Sequence, residues 1–514
     1  MTKNNKAPLK DLIVILPGIT GSVLQKNGKD IWGTSWQAIS SIALSGGNVL
    51  QELKLEGSDS GGLEYGDGIK ATRLVSDAQI IPGLVKILDG YSATSKLITD
   101  NFEIVNSRFS DKSKVIPGDI YDDPETVAAN FYHFPYDWRR DNKINAQIFN
   151  KLVNKRLKVW REFSGNKDAK VILLAHSMGG LISRYHLEVL GGWQDCRALF
   201  TFGTPYRGSV NAVNFLAHGL KKAVFDLTEV MRSLPSVYQL LPIYSILHVG
   251  NENKLIADVA NLPNISQVEA KKAVDFHNEI ESAVESNRQE SRYQEQFATV
   301  PFVGVQQPTF QSAEFKDGVI TVSRDLPRIM QGQNLDFLAD GDGTVPRISA
   351  FPFEFSNNDI NKVVSFIAEK HGALQSQKDI LLSLLSKLQF SEAFNDIKHI
   401  RGEENEKARA IKSITKGISL DTQDLYFKDE AIVIKAQINP DNSDFGGLNA
   451  TIECLSSSQK TLNLDFEIDG TELRLNPEEL KLEPGLYRIQ VQADNTVENP
   501  LNAVHDLFEV TALD

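Results

Sequence analysis

Ser177 ends an apolar run, Val171-Ile-Leu-Leu-Ala-His-Ser-Met-Gly-Gly180, and precedes a helical pattern at Leu181–Leu190. Such a run reads as a strand turning sharply into a helix, and a serine at that turn has its Oγ lifted clear of the backbone. The turn is tight, so the positions two before and two after the serine must be small, as Ala175 and Gly179 are. The motif is A-x-S-x-G rather than G-x-S-x-G. A serine hydroxyl is a weak nucleophile until a base takes its proton, so the chemistry needs a histidine and an acid to orient it.

In this strand–serine–helix arrangement the partners follow in the order serine, acid, histidine. Of the nine histidines, His371, His399 and His505 follow a suitable acid. His371 lies in Glu369-Lys-His-Gly-Ala-Leu374, just past the apolar run Val363–Phe366 and just before a helix, where a base must sit. His399 falls in a charged helical segment and His505 in a C-terminal β region. The acid is expected in Asp340-Gly-Asp-Gly-Thr-Val-Pro346. A Gly-rich loop can offer one carboxylate oxygen to the histidine while its own amides bond the other. Asp342 is the first choice and Asp340 the second. The loop also resembles a fragment of a calcium site, but calcium requires more oxygen ligands at fixed spacing. No metal and no cofactor is expected. An oxyanion needs two preorganised amides. Met178 N–H is one, and Ile19 N–H, in the Gly-containing loop 17–22, is the other.

These residues need a scaffold that brings loops together. Short apolar runs (Leu12–Leu16, Val171–Leu174, Ala198–Phe202, Pro301–Val305, Val363–Phe366) alternate with helical patterns such as Ile144–Phe163 and Lys378–Leu388. That is the pattern of a mainly parallel sheet flanked by helices. With Ser177 at the strand–helix turn, it predicts an α/β-hydrolase fold over 1–400, with insertions at about 40–115 and 212–298 forming a cap and lid. A charged linker follows at 401–414. Short alternating strands from 415 to 514, separated by turn clusters, predict an all-β, immunoglobulin-like sandwich.

The 514 residues suffice for more than one core. A net charge of −13 disfavours nucleic acid as a partner and gives no long-range pull toward anionic lipid. A local apolar lip can still give peripheral membrane contact. Cys196 and Cys454 are too few for a disulfide scaffold. Lys3, Lys6 and Lys10 precede Leu12–Leu16, but five apolar residues ended by Pro17-Gly18 are too short for a secretory signal, which needs roughly 7–15. No run reaches the roughly 18 apolar residues of a membrane span. A cytoplasmic protein is the expectation.

Several segments together resemble the lecithin:cholesterol acyltransferase family, which includes lysosomal phospholipase A2. They are Leu16-Pro-Gly-Ile-Thr-Gly-Ser22, Phe134-Pro-Tyr-Asp-Trp-Arg139, Ala175–Gly180, Gly203-Thr-Pro205, Leu234-Pro-Ser-Val-Tyr238, Gly304-Val-Gln-Gln-Pro-Thr309, Asp340–Pro346 and His371-Gly372. The resemblance spans about residues 11–375. It implies a lipid or acyl-ester substrate, an acyl-serine intermediate, Ser177, Asp342 and His371 as triad, and Ile19 and Met178 as oxyanion hole. Trp32 and Tyr136 are candidate substrate contacts, although an aromatic beside the Asp137/Arg139 pair is more often a buried brace. Trp36 and Ile39 are read, with Trp32, as a lipid-docking or core-packing stripe. The C-terminal β-domain has no counterpart in the mammalian enzymes. Three readings stay open: a lipid acyl hydrolase, an acyltransferase using an alcohol acceptor, and a bacterial lipase effector whose β-domain binds a protein partner or a second copy.

Overall fold

The computed structural model describes residues 6–33, 49–57, 59, 61–75, 78–81, 85–88, 90–108, 117–123, 127–222, 225–333, 335, 338–394, 397–401, 417–439, 447–457, 461–469, 472–477, 480–493 and 501–512. Trp36, Ile39 and the charged linker past 401 lie outside them.

A seven-stranded sheet organises the first unit. Its strands are β1 (Leu12–Leu16), β2 (Gly118–Asp119), β3 (Phe131–His133), β4 (Val171–His176), β5 (Cys196–Phe202), β6 (Ala298–Val305) and β7 (Ser365–Ala368). The spatial order is β7-β6-β5-β4-β1-β3-β2. Every neighbouring pair is parallel. A parallel strand covered on both faces reads as a continuous apolar run. β1 shows this: Leu12, Val14 and Leu16 enter the core on one face, and Ile13 and Ile15 the core on the other. β1 and β4 pair in register, Leu16 opposite Ala175. The loop after β1 and the turn after β4 therefore emerge side by side.

Helices cover both faces. α1 (Asn142–Ser164) starts where the Asp141 side chain accepts from Lys143 N and ends at the left-handed Gly165. It buries Ile148, Phe149, Val153, Leu157 and Trp160. α2 (Met178–Arg184) opens directly after Ser177 and passes into a π turn at Tyr185–Val189. α3 (Val210–His218) and α4 (Gln267–Asn287) belong to the long insertion after β5, and α5 (Lys378–Phe394) follows the His371 loop. The last strand of the sheet starts two residues later than the pattern Val363–Phe366 suggests. A helix at Asn357–Val363, fixed by a capping box between Ser356 and Asp359, consumes the first apolar residue.

The C-terminal unit is a two-sheet sandwich. One sheet holds β8 (Gly417–Asp421), β10 (Lys435–Asn439), β14 (Glu472–Arg474) and β13 (Glu467–Asp469) in that order. The other holds β9 (Leu425–Phe427), β16 (Val504–Thr511), β15 (Gly485–Ala493), β11 (Leu448–Cys454) and β12 (Leu462–Asp465). Its core is its own, built on residues such as Ile418, Tyr426, Ile452, Ile489 and Phe508. The run expected as one strand over Leu462–Ile468 splits between the sheets, with Phe466 buried at the crossing. Together the two units form an α/β-hydrolase fold with an appended β-sandwich. Among the described residues no helix is long and apolar enough to cross a membrane.

Candidate active site

β4 delivers Ser177 to the C-terminal edge of the sheet. Its backbone sits at φ 51°, ψ −125°, a region that costs a non-glycine residue on the order of 1–3 kcal/mol and is held only by surrounding contacts. Those contacts are present: Ser177 N–H donates to Phe202 O (2.9 Å), and Thr204 Oγ1 donates to Ser177 O (2.9 Å). Gly179 is required by close approach, because a Cβ there would lie 2.4 Å from Pro17 O.

β6 and β7 supply the other two side chains through the loops that follow them. His371 Nε2 lies 2.9 Å from Ser177 Oγ, and His371 Nδ1 lies 2.7 Å from Asp342 Oδ2. The other oxygen of Asp342 accepts from Thr344 N–H (2.9 Å) and Val345 N–H (2.7 Å). His371 N–H donates to Asp342 O (2.8 Å), tying the two loops by backbone as well. Asp340 faces away: its carboxylate grips Arg347 and accepts from Gln306 N–H, and burial pushes its carboxyl up against the pull of Arg347. Gly203 makes room for the pair, since a Cβ there would lie 2.9 Å from both Asp342 Oδ2 and His371 Nδ1.

The loop after β1 is fixed on all sides. Gly18 N–H donates to Tyr91 Oη (2.8 Å), and Tyr136 Oη donates to Pro17 O (2.8 Å). Trp32 Nε1 donates to Thr20 O (3.1 Å), and Ser22 Oγ accepts from Tyr136 N–H (3.0 Å). Ile19 N–H has no acceptor among the described residues. Met178 is the first residue of α2, where backbone N–H groups lack intrahelical partners.

Trp32 and Tyr136 are corrected here as substrate contacts. Each is about 1 % exposed, and neither lines the cavity beside Ser177. Trp32 packs on Trp138 with ring centroids 4.8 Å apart. Both rings brace the loop after β1. Arg139 does the same for the cap, gripping Asp137 and reaching Asp67 (2.8 Å).

A second network joins the two halves of the site. Tyr91 Oη is 3.1 Å from His176 Nδ1, and His176 Nε2 is 3.2 Å from His371 O. Burial pushes His176 down to about 3, with the nearby His371 adding to the effect, so it is neutral and carries one proton. The carbonyl of His371 can only accept, which assigns that proton to Nε2 and makes Nδ1 the acceptor of the Tyr91 hydroxyl. Tyr91 and His176 had no signal in motif or spacing.

The cavity beside Ser177 is apolar and measures about 40 Å³. Ile19, Phe215, Met231, Val237, Leu240 and Val345 line it. Among the described residues no cluster of three or more His, Cys, Asp or Glu side chains could hold a metal.

The family model for lecithin:cholesterol acyltransferase matches residues 125–301. That segment holds Ser177 but neither Asp342 nor His371, whose assignment rests on geometry. Among solved structures, the mature form of Bacillus licheniformis lipase BlEst2 aligns at 12% identity, covering 75% of this chain and 94% of that one, with a TM-score of 0.33. Its propeptide form aligns at 10% identity, covering 98% of each, with a TM-score of 0.33. No curated protein sequence matches. The resemblance read from the motifs is borne out over residues 125–301, the stretch that the lecithin:cholesterol acyltransferase model matches.

Proposed function

We propose, from a chain similar to the lecithin:cholesterol acyltransferase family across its nucleophile segment, that this protein is a serine lipid acyl hydrolase or acyltransferase. Its substrate class is a glycerophospholipid or related acyl ester, and its intermediate is an acyl-Ser177 ester. The observation that carries the reading is the continuous hydrogen-bonded run from Asp342 through His371 to Ser177 beside an apolar cavity.

His371 Nε2 accepts the Ser177 proton as Oγ attacks the acyl carbon. Asp342 Oδ2 holds the Nδ1 proton, which fixes the tautomer and stabilises the imidazolium. The Ile19 and Met178 amides receive the oxyanion, and loss of one such donor costs on the order of 10²-fold in rate. Collapse breaks the ester bond, and the leaving alcohol takes the proton from Nε2. Water or a second alcohol then gives its proton to His371 and attacks the acyl carbon, and Oγ departs with the proton that Nε2 returns to it. The cavity has room for roughly three or four small groups, so a longer acyl chain requires α3 and the segment 228–240 to draw apart.

The test compares the protein with Ser177→Ala. A fluorophosphonate probe should label only the former. Mass spectrometry of a mixed-lipid extract should then show acyl lipids consumed, with fatty acid released or transferred to added diacylglycerol or sterol. Equal labelling of Ser177→Ala would end the mechanism.

A further inference from the structure

The β-sandwich docks on the loops that carry the triad. Glu369, two residues before His371, is fully buried. It accepts from Lys370 N–H (2.9 Å), from His505 N–H (3.0 Å), and lies 3.0 Å from His505 Nδ1. On the acid side, the Gln307 side chain donates to Ile418 O (2.8 Å) and accepts from Leu420 N–H (3.1 Å), as a neighbouring strand would. Lys86 bridges to Asp424 (2.7 Å) and Asp506 (3.0 Å).

Between the units lies a cleft of about 170 Å³. Asp421, Thr422, Asp424 and Asp506 of the β-domain form part of its wall, and it shares Asn211, Thr344 and His371 with the apolar cavity. The shared His371, the group that must protonate the departing alcohol, places this cleft next to the cavity that holds Ser177. The cleft mixes polar and apolar lining and is nearly balanced in charge. Its cations are already engaged: Lys86 by Asp424 and Asp506, Lys370 by Asp506, and Arg324 by Asp421. A phosphate entering here would have to displace carboxylates from their cations and face them at short range. A neutral alcohol with several hydroxyls would meet both donors and acceptors and displace no charge.

We propose that this cleft is the subsite for the alcohol portion of the ester and that the β-domain supplies its outer wall. It selects a neutral, hydroxyl-bearing alcohol of glycerol or sugar type over a phosphate-bearing head group. The inference rests on the esterase reading above and, of the acyl esters that reading allows, favours neutral ones over glycerophospholipids.

The test uses the full chain, with monooctanoylglycerol and its 3-phosphate as paired substrates. Each kcat/KM is divided by the same protein's rate of Ser177 phosphonylation by a small fluorophosphonate, which carries no alcohol. The protein should prefer the glycerol ester. Asp424→Asn should lower that preference about tenfold, the size expected for one lost charged hydrogen bond. Asp421→Asn, at a half-buried position, should lower it less and serves if Asp424→Asn does not fold. A protein that prefers the phosphate ester overturns the proposal. So does an unchanged preference in a folded variant, or a variant that accelerates both substrates equally, which would make the β-domain a cover. Failure of Ser177 to react with the probe in the unaltered protein would instead overturn the esterase reading.

Discussion

Replacing Gly304 by alanine would place a methyl group where β6 passes behind the acid. The added Cβ would lie 2.4 Å from Asp342 Cβ and 2.8 Å from Glu369 O, against an ordinary contact of 3.4 Å or more. Asp342 must therefore retreat by about 1 Å, the shortfall from van der Waals contact. Its carboxylate cannot simply rotate, because Thr344 and Val345 amides hold Oδ1. Where that retreat runs away from the imidazole, the 2.7 Å bond to His371 Nδ1 stretches to as much as about 3.7 Å, beyond hydrogen-bonding reach. Loss of an acid's hold on the histidine costs up to about 10⁴ in kcat, so a drop of about 10²–10⁴ is expected with KM near its original value. Overpacking should cost about 1–3 kcal/mol of stability, read as a lower Tm. The assay is steady-state hydrolysis of a p-nitrophenyl ester by Gly304→Ala, Asp342→Asn and the double variant. Since both act on one contact, the double variant should be little worse than Asp342→Asn alone. A folded Gly304→Ala with kcat within about threefold of the unaltered protein, a change of under 1 kcal/mol, would refute the reasoning.

Tyr91→Phe should strand the Gly18 N–H and cost about 1–3 kcal/mol in stability. Because that amide orients the loop holding Ile19, kcat should fall more than KM changes; a lower Tm with unaltered kcat would reduce Tyr91 to a packing role. Glu392, beside Asp11 and accepting from the Lys10 and Asp11 amides, is pushed by burial up to about 7 from 4.5. Its folded-state value lies above the unfolded one, so its ionisation disfavours the fold. That penalty is absent below pH 4.5, grows between 4.5 and 7 and is complete above. The Tm of Glu392→Gln relative to the unaltered protein should therefore be higher at pH 8 than at pH 4.5, and an equal difference at both would exclude this titration.

What the sequence reveals depends on whether a signal is local. β1, buried on both faces, has no polar position to blur its ends, and its predicted span matches the observed one. β2 and β3 go unseen because two and three residues carry no periodicity. The side chains that meet at the sheet edge are legible because their types and chain order restrict the chemistry. Asp342 is preferred to Asp340 in the sequence only because it starts Asp-Gly-Thr-Val-Pro; the Thr344 and Val345 amides that hold its carboxylate are seen in the structure. Tyr91 is not legible: it lies 73 residues from Gly18 and 85 from His176, and nothing in the chain announces either meeting. Trp32 and Tyr136 show the opposite hazard, since aromatics near a site serve equally as walls or as braces. His505 is correctly read as part of a β-domain, but its contact with Glu369 depends on how two separately built cores dock.

The pairing of β1 with β4 also bears on how the site comes into being. Leu16 and Ala175 are neighbours in space but separated by more than 150 residues of chain. The loop holding Ile19 and the turn holding Ser177, the proposed oxyanion donor and nucleophile, therefore fall into place in a single long-range event. Closing so long a loop is entropically costly and slow, and parallel pairing of this kind leaves apolar strands exposed while it waits. A slip of one residue would shift the two loops by about 3.3 Å and turn every β1 side chain to the wrong face. Folding this part of the sheet and bringing Ser177 beside the loop after β1 are thus one event.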